Sequence, residues 1–202
     1  MRTVIAVTNV KGGVGKTTSA VYLAGAAVRS GRGPVVLIDA DAQASSSEWL
    51  ESAPIDDVRL AEAPTARMVT RAMDLGAEKI AFVDSPPGDE KTVRAVLDRA
   101  DAVVIPTRVG GPEPSRVRAT LEMMAPGKRR GIVIVAARTG TRDLEETVQA
   151  WEAEGESIWG VIPERVAIAA GSTAPLSIVG LVHYENVLIQ ALAKGRKRTT
   201  SR

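Results

Sequence analysis

Lys11-Gly12-Gly13-Val14-Gly15-Lys16-Thr17-Thr18, preceded by the apolar run Val4-Ile5-Ala6-Val7, decides how this chain is read. An apolar strand, a glycine-rich turn and a segment of helical composition succeed one another, which is the setting of a phosphate-binding loop. Three glycines let the main chain come close to a polyphosphate, so that successive N–H groups point at its oxygens. The helix after the loop adds the positive end of its dipole. In such a loop Lys16 reaches the β- and γ-phosphates. The Thr17 hydroxyl ligates a Mg²⁺ ion that keeps most of its waters.

Outward from this loop, strands and helices alternate. Buried strands are expected at 3–9, at 34–39 and at 80–84, the last two ending in Asp39 and Asp84. Further strands are expected at 58–60, 102–106, 131–137 and 157–161. Helices are expected at 16–30, 45–52, 65–75, 89–99, 112–124, 142–154, 164–170 and 180–194. The first of these helices places Ala20, Leu23, Ala24 and Ala27 on one face and stops at Gly31. This alternation predicts an α/β fold, a single doubly wound, mostly parallel sheet with helices on both faces. Ligands of such sheets bind beyond the carboxyl ends of the strands. The phosphate loop, Asp39 and Asp84 therefore belong to one edge. Asp39 and Asp41 flank a single alanine just there; a lone carboxylate at a strand end can equally cap the next helix.

Composition narrows the function classes. Hydrophobic residues make up 45% of the 202 and aromatics only 3%, so aliphatic side chains must fill the core, as buried parallel strands require. There is no cysteine, which removes disulfides, thiolate metal sites and iron–sulfur clusters and fits a cytoplasmic protein. No apolar run is long enough to span a bilayer, and His183 has no second histidine to share a metal with. Trp49, Trp151 and Trp159 are scattered and read as packing residues. The net charge of +2 conceals a tail, residues 194–202, with five basic residues and no acid. A nearly neutral body over 1–193 with a basic, disordered tail over 194–202 points to an anionic polymer or surface as partner, although a solvated end that aids solubility has the same composition.

An ordinary phosphate loop has a glycine five residues before the Gly15 position, where this chain has Val10 and then Lys11. The form Lys-Gly-Gly-x-Gly-Lys-Thr resembles the deviant Walker A motif of the ParA/MinD group of ATPases. In that group the first lysine, here Lys11, crosses a dimer interface to the nucleotide of the other subunit. Val36 to Gln43 resembles the family's Walker A′ region, usually Asp-x-Asp-Pro-Gln, with Ala42 in place of the proline. By that resemblance Asp41 orients the attacking water, and Asp39 holds Lys16 or a water on Mg²⁺. Asp84-Ser85-Pro86-Pro87 resembles the end of its Walker B strand, which implies that Asp84 holds Mg²⁺ through water. Ile162-Pro163-Glu164 resembles the segment that ParA proteins place around adenine, and Pro163 and Glu164 join the nucleotide residues on that ground; an ordinary strand-to-helix turn reads the same residues equally well. Pro112-Glu113-Pro114 resembles a proline segment near the dimer interface of ParF-type members, and also reads as a helix start.

The resemblance implies a P-loop ATPase of the deviant Walker A class that binds ATP, ADP and Mg²⁺. Because the first strand starts by residue 3, the ParF-like type without an N-terminal helix-turn-helix domain is expected. Lys11, Lys16 and Asp41 are the expected catalytic groups. Residues 11–18 hold the nucleotide, and Thr17, Asp39 and Asp84 hold the metal. The implied function is plasmid or chromosome segregation. An ATP-bound homodimer binds DNA without sequence preference, on the nucleoid, and is released when a ParB-like centromere-binding partner stimulates slow hydrolysis. Lys194, Arg196, Lys197 and Arg198 are the expected DNA contacts, with Arg202 beside them and Arg129 and Arg130 as candidates from the body. No membrane is expected. Two alternatives stand beside this reading: a MinD-like ATPase positioned on a membrane, and a partition-like ATPase that positions a protein cargo. A metabolic relative would need cluster cysteines or a substrate pocket motif, and the sequence has neither.

Overall fold

The structure, a computed structural model, describes residues 2–110 and 113–193, apart from the side chains of Glu113 and Ser172. Seven strands form one sheet: β1 (Thr3–Val7), β2 (Val35–Asp39), β3 (Val58–Glu62), β4 (Ile80–Asp84), β5 (Ala102–Thr107), β6 (Arg130–Ala137) and β7 (Ile158–Pro163). Their order is β3-β2-β4-β1-β5-β6-β7, and every pairing is parallel. Eight helices connect or cover them: α1 (Lys16–Arg29), α2 (Ser45–Ser52), α3 (Ala66–Asp74), α4 (Glu90–Arg99), α5 (Glu113–Glu122), α6 (Arg142–Ala153), α7 (Val166–Ala169) and α8 (Ile178–Leu192).

The two-residue period of the strands explains the layers. Ile5 and Val7 of β1, Val35 and Leu37 of β2 and Phe82 of β4 face a core completed by α1 and α8. Their neighbours Val4, Ala6, Val36, Ile38 and Val83 face a second core closed by α3, α4, α5 and α6. Because both faces are covered, the strands read as continuous apolar runs in the sequence. Among the described residues no helix is long and apolar enough to cross a membrane. Trp49, Trp151 and Trp159 are buried in these cores, as packing residues should be.

The expected elements differ from the observed ones mainly near β7, which runs two residues further and ends at Pro163. Proline lacks a strand N–H, and Pro163 is tolerated as the last residue of an edge strand, as Pro106 is at the penultimate position of β5. The helix expected at 164–170 accordingly shrinks to the single turn α7. The central β1 is the switch point of the winding, with β4 on one side and β5 on the other.

Away from this edge, Glu78 ties the chain start to β3. Its carboxylate accepts from Arg2 Nη2 at 2.7 Å and from Arg59 Nε. The Arg59 hydrogen bond, helped by the Arg2 charge, holds the Glu78 carboxyl down at about 2. A carboxyl depressed in the folded state contributes stability that is complete above its unfolded value, near 4.5, and is lost as the pH falls toward 2. Because Arg59 is half exposed, the contribution is discounted to about 1–2 kcal/mol. Glu78→Gln should therefore lower the melting temperature at pH 7 and flatten its fall between pH 4.5 and 2. Parallel acid limbs in the two proteins would refute the pairing.

Candidate functional site

The register places the acidic strand ends side by side. Asp39, the last residue of β2, pairs with Asp84, the last of β4, and Val7 of β1 pairs with Asp84 from the other side. The Ser85 hydroxyl donates to the Val7 carbonyl at 2.9 Å, and the Ala40 N–H donates to the Asp84 carbonyl at 2.9 Å, so the strand ends are stitched where the loops begin.

The glycine loop leaves β1 through Asn9, which is fully buried. Its amide donates to the Pro106 carbonyl at 2.9 Å, and its side-chain oxygen accepts from the Lys11 N–H at 3.0 Å. The Val10 N–H donates to Thr120 Oγ1 of α5 at 3.2 Å. Gly13 and Gly15 have φ of +73° and +79°, the left-handed region where a side chain would be strained. Gly15 is also the N-cap of α1, so the helix begins at Lys16 with its free N–H groups turned to the loop. The Lys16 ammonium donates to the Lys11 carbonyl at 2.8 Å. Burial lowers its pKa, while the Asp84 and Asp41 charges act the other way.

Both buried acids are bound to the start of α2. Asp39 Oδ2 accepts from the Ser47 N–H at 2.9 Å and from the Ser47 hydroxyl at 3.0 Å, and its Oδ1 accepts from the Asp41 N–H at 3.1 Å. Ser46 Oγ donates to Asp84 Oδ2 at 2.6 Å. Burial pushes the Asp84 carboxyl up to about 6, with the Asp39 charge adding to it; hydrogen bonds from Ser46 and Thr17 and the Lys16 charge oppose the shift. Asp84 Oδ1 is buried and has no hydrogen-bond partner among the described residues. A free carboxylate oxygen beside the Thr17 hydroxyl is a hard-oxygen pair that fits Mg²⁺. Asp41 lies further out and accepts from the Gln43 N–H at 3.0 Å.

Two cavities with a shared wall adjoin the loop. The first, about 390 Å³, is lined by the glycine loop, Lys16, Thr17, Asp41, Pro87 and Arg108. The second, about 180 Å³, is a more apolar slot walled by Val135, Ile162, Pro163, Glu164 and Ile168. Both include Gly15, Thr18 and Arg108. The slot forms because Ala136 (φ +50°) bulges β6 away from β7, after which the Glu164 N–H returns to the Ala137 carbonyl at 2.9 Å.

The fold thus brings together Lys11 to Thr18, Asp39, Asp41, Asp84, Pro163 and Glu164. Lys194, Arg196, Lys197, Arg198 and Arg202 lie outside the described residues, as does Pro112. Arg129 and Arg130 stand at the opposite end of the sheet; Arg129 lies over Trp159 and donates to the Gln190 carbonyl, and Arg130 pairs with Glu156 at 2.6 Å. Ser46, Ser47, Asn9 and Arg108 have no counterpart among the residues expected to form the site. The run Ser45-Ser46-Ser47, separated from Asp41 by three residues, was the visible signal for the first two, because acceptors at a strand end need donors from the next helix.

A family model described as the CobQ/CobB/MinD/ParA nucleotide binding domain matches residues 5–176. The chain is 35% identical over 154 residues to the maintenance of carboxysome distribution protein A of Gloeobacter kilaueensis, covering 73% of this chain and 68% of that protein. It superimposes on a putative plasmid partition protein of Borrelia burgdorferi B31 bound to AMPPNP with a TM-score of 0.73 at 19% identity, over 94% of this chain and 97% of the other. It also superimposes on the septum site-determining protein MinD of Pyrococcus horikoshii in complex with Mg-ADP, with a TM-score of 0.69 at 17% identity, over 93% and 95% of the two chains.

Proposed function

We propose that this chain, which belongs to the CobQ/CobB/MinD/ParA nucleotide-binding domain family, is an ATPase whose ATP-bound dimer positions a large cargo in the cytoplasm. The observation that carries the reading is a cleft lined by the glycine loop, Lys16, Thr17 and Asp41, with the buried Asp84 close to Lys16 and Thr17, next to an apolar slot that shares Gly15, Thr18 and Arg108 with it.

The loop N–H groups and Lys16 bind the β- and γ-phosphates, and the slot beside Pro163 and Glu164 takes the adenine. Asp84 and Thr17 hold Mg²⁺, with Asp39 behind them. The ion, when bound, neutralises charge on the transferring phosphoryl group. Asp41, at the outer rim, orients the attacking water; phosphoryl transfer asks for position more than for a strong base. Lys11, at the start of the loop, crosses to the partner's nucleotide, so the γ-phosphate favours the dimer and its loss releases it. A partner protein that speeds hydrolysis, of the ParB-like kind where the cargo is DNA, completes the cycle.

Two cargoes are open to such a switch. A plasmid or chromosome is supported by the similarity to the Borrelia partition protein. A protein assembly is supported by the 35% identity to a carboxysome distribution protein, a nearer relation in sequence. Affinity capture from the native host in the presence of ATP separates them: recovery of a centromere-binding protein with its DNA supports the first, and recovery of an assembly component supports the second. ATP turnover that ignores both duplex DNA and every captured partner would overturn the positioning reading.

In either case the dimer needs a track, and we assign it to duplex DNA held by the basic tail. Each phosphate neutralised on a duplex steepens the salt dependence of log affinity by about 0.9, so three tail residues from each of two subunits give a slope near about −5. Removal of residues 194–202 should leave ATP-dependent dimerisation intact and abolish most of this salt-sensitive binding. An unchanged slope after truncation would move the contacts to the folded surface, where Arg165 is exposed and Arg138 pairs with Glu164.

A further inference from the structure

Arg108 directly succeeds β5 and stands where the phosphate cleft meets the apolar slot. Some exposed arginines on the body find carboxylates, as Arg94 does with Glu90, Arg118 with Glu154 and Arg142 with Glu146. Others, such as Arg67, Arg71 and Arg165, find none among the described residues; Arg108 is set apart by lining both cavities. Arg108 is exposed, and among the described residues it makes no hydrogen bond or ion pair. A cation exposed at the edge of both cavities is placed to meet an anion held between them.

The position identifies which anion. The cleft and the slot share Gly15, Thr18 and Arg108. With the terminal phosphates on the glycine loop and the base in the slot, the parts of a nucleotide that lie over this junction are the sugar and the α-phosphate. Of those two the α-phosphate carries the charge, and a guanidinium matches a phosphate with two parallel N–H bonds. Gly15 and Thr18 belong to the start of α1 and approach from the loop side, whereas Arg108 approaches from the end of β5.

We propose that Arg108 positions the nucleotide by bonding the α-phosphate of the adenine nucleotide held in its own subunit, an inference that rests on the ATPase reading above. The contact is common to ATP and ADP. It therefore retains the nucleotide through the cycle and does not distinguish its two states.

Equilibrium binding of ADP, of a non-hydrolysable ATP analogue and of adenosine tests it. Arg108→Ala should weaken ADP and the analogue by the same factor, about tenfold for a charge-assisted bond at a partly open site, and leave adenosine affinity as it is. Arg108→Lys should recover part of the loss, because it keeps the charge and loses the fork. The melting temperature without nucleotide should match the wild type, since an exposed side chain that bonds no described residue adds little to the fold. A loss confined to the ATP analogue would place Arg108 at the γ-phosphate and overturn the assignment. So would unchanged affinity for both nucleotides, or intact affinity with lost dimerisation, which would make it a contact across the interface. A wild-type protein that binds neither nucleotide would instead overturn the ATPase reading, and this assignment with it.

Discussion

Asp41→Ala is expected to bind ATP, to dimerise with it, and to hydrolyse it roughly 10²–10⁴-fold more slowly than the wild type. The expectation comes from where the residue stands. Asp39 and Asp84 are buried and committed to Ser47 and Ser46, whereas Asp41 lines the cleft beyond them with one carboxylate oxygen engaged only by the Gln43 N–H. It can therefore hold a water in line with the γ-phosphate without contributing to the binding of the phosphates themselves. Loss of such a group lowers kcat and leaves nucleotide affinity near its original value. The measurement is single-turnover hydrolysis beside ATP-dependent light scattering. Near-normal turnover would remove Asp41 from the chemistry and make Asp39 the candidate.

The two lysines of the loop should separate binding from assembly. Lys16 is buried at the first position of α1, and its ammonium already reaches back over the loop to the Lys11 carbonyl, the place that terminal phosphates would occupy. Lys16→Ala should weaken both ATP and ADP by roughly 10–100-fold, the value of a charge-assisted bond with its partner desolvated. Lys11→Ala should keep the monomer's affinity, because the bonds that shape the loop, from the Lys11 N–H to Asn9 and from Lys16 to the Lys11 carbonyl, use the Lys11 main chain and survive the substitution. It should instead lose ATP-dependent dimerisation and most of the turnover. Light scattering with a non-hydrolysable analogue decides the matter. A Lys11→Ala protein that dimerises like the wild type would show that the loop works within one subunit.

How much of this was legible in the sequence depends on whether a signal was local. Apolar runs that end in a carboxylate, Ile38-Asp39 and Val83-Asp84, announced both the strands and the edge they share. The glycines announced the loop because only they adopt its left-handed turns. Pairing order was not legible: that Asp39 and Asp84 are register partners across β2 and β4 depends on the crossover through α3, which no local residue encodes. Arg108 was missed for the same reason. It is one more charged residue after one more strand until β5 is placed beside β1, next to the loop. The end of β7 was misread because Ile162-Pro163 reads locally as a turn, and its pairing with Ala137 of β6, beyond the irregularity at Ala136, is a property of the whole fold.

Because all seven strands are parallel, the molecule has two unlike poles. One collects the loops at the strand ends and all of the candidate chemistry. At the other, the close of α8 meets the beginning of β6, where Arg129 donates to the Gln190 carbonyl. Under the proposed function, substitutions beyond α8 would change the surface or assembly the protein engages while every distance at the nucleotide stays as it was. On that reading motor and address are separable parts of one chain, and two proteins with the same cleft need not carry the same freight.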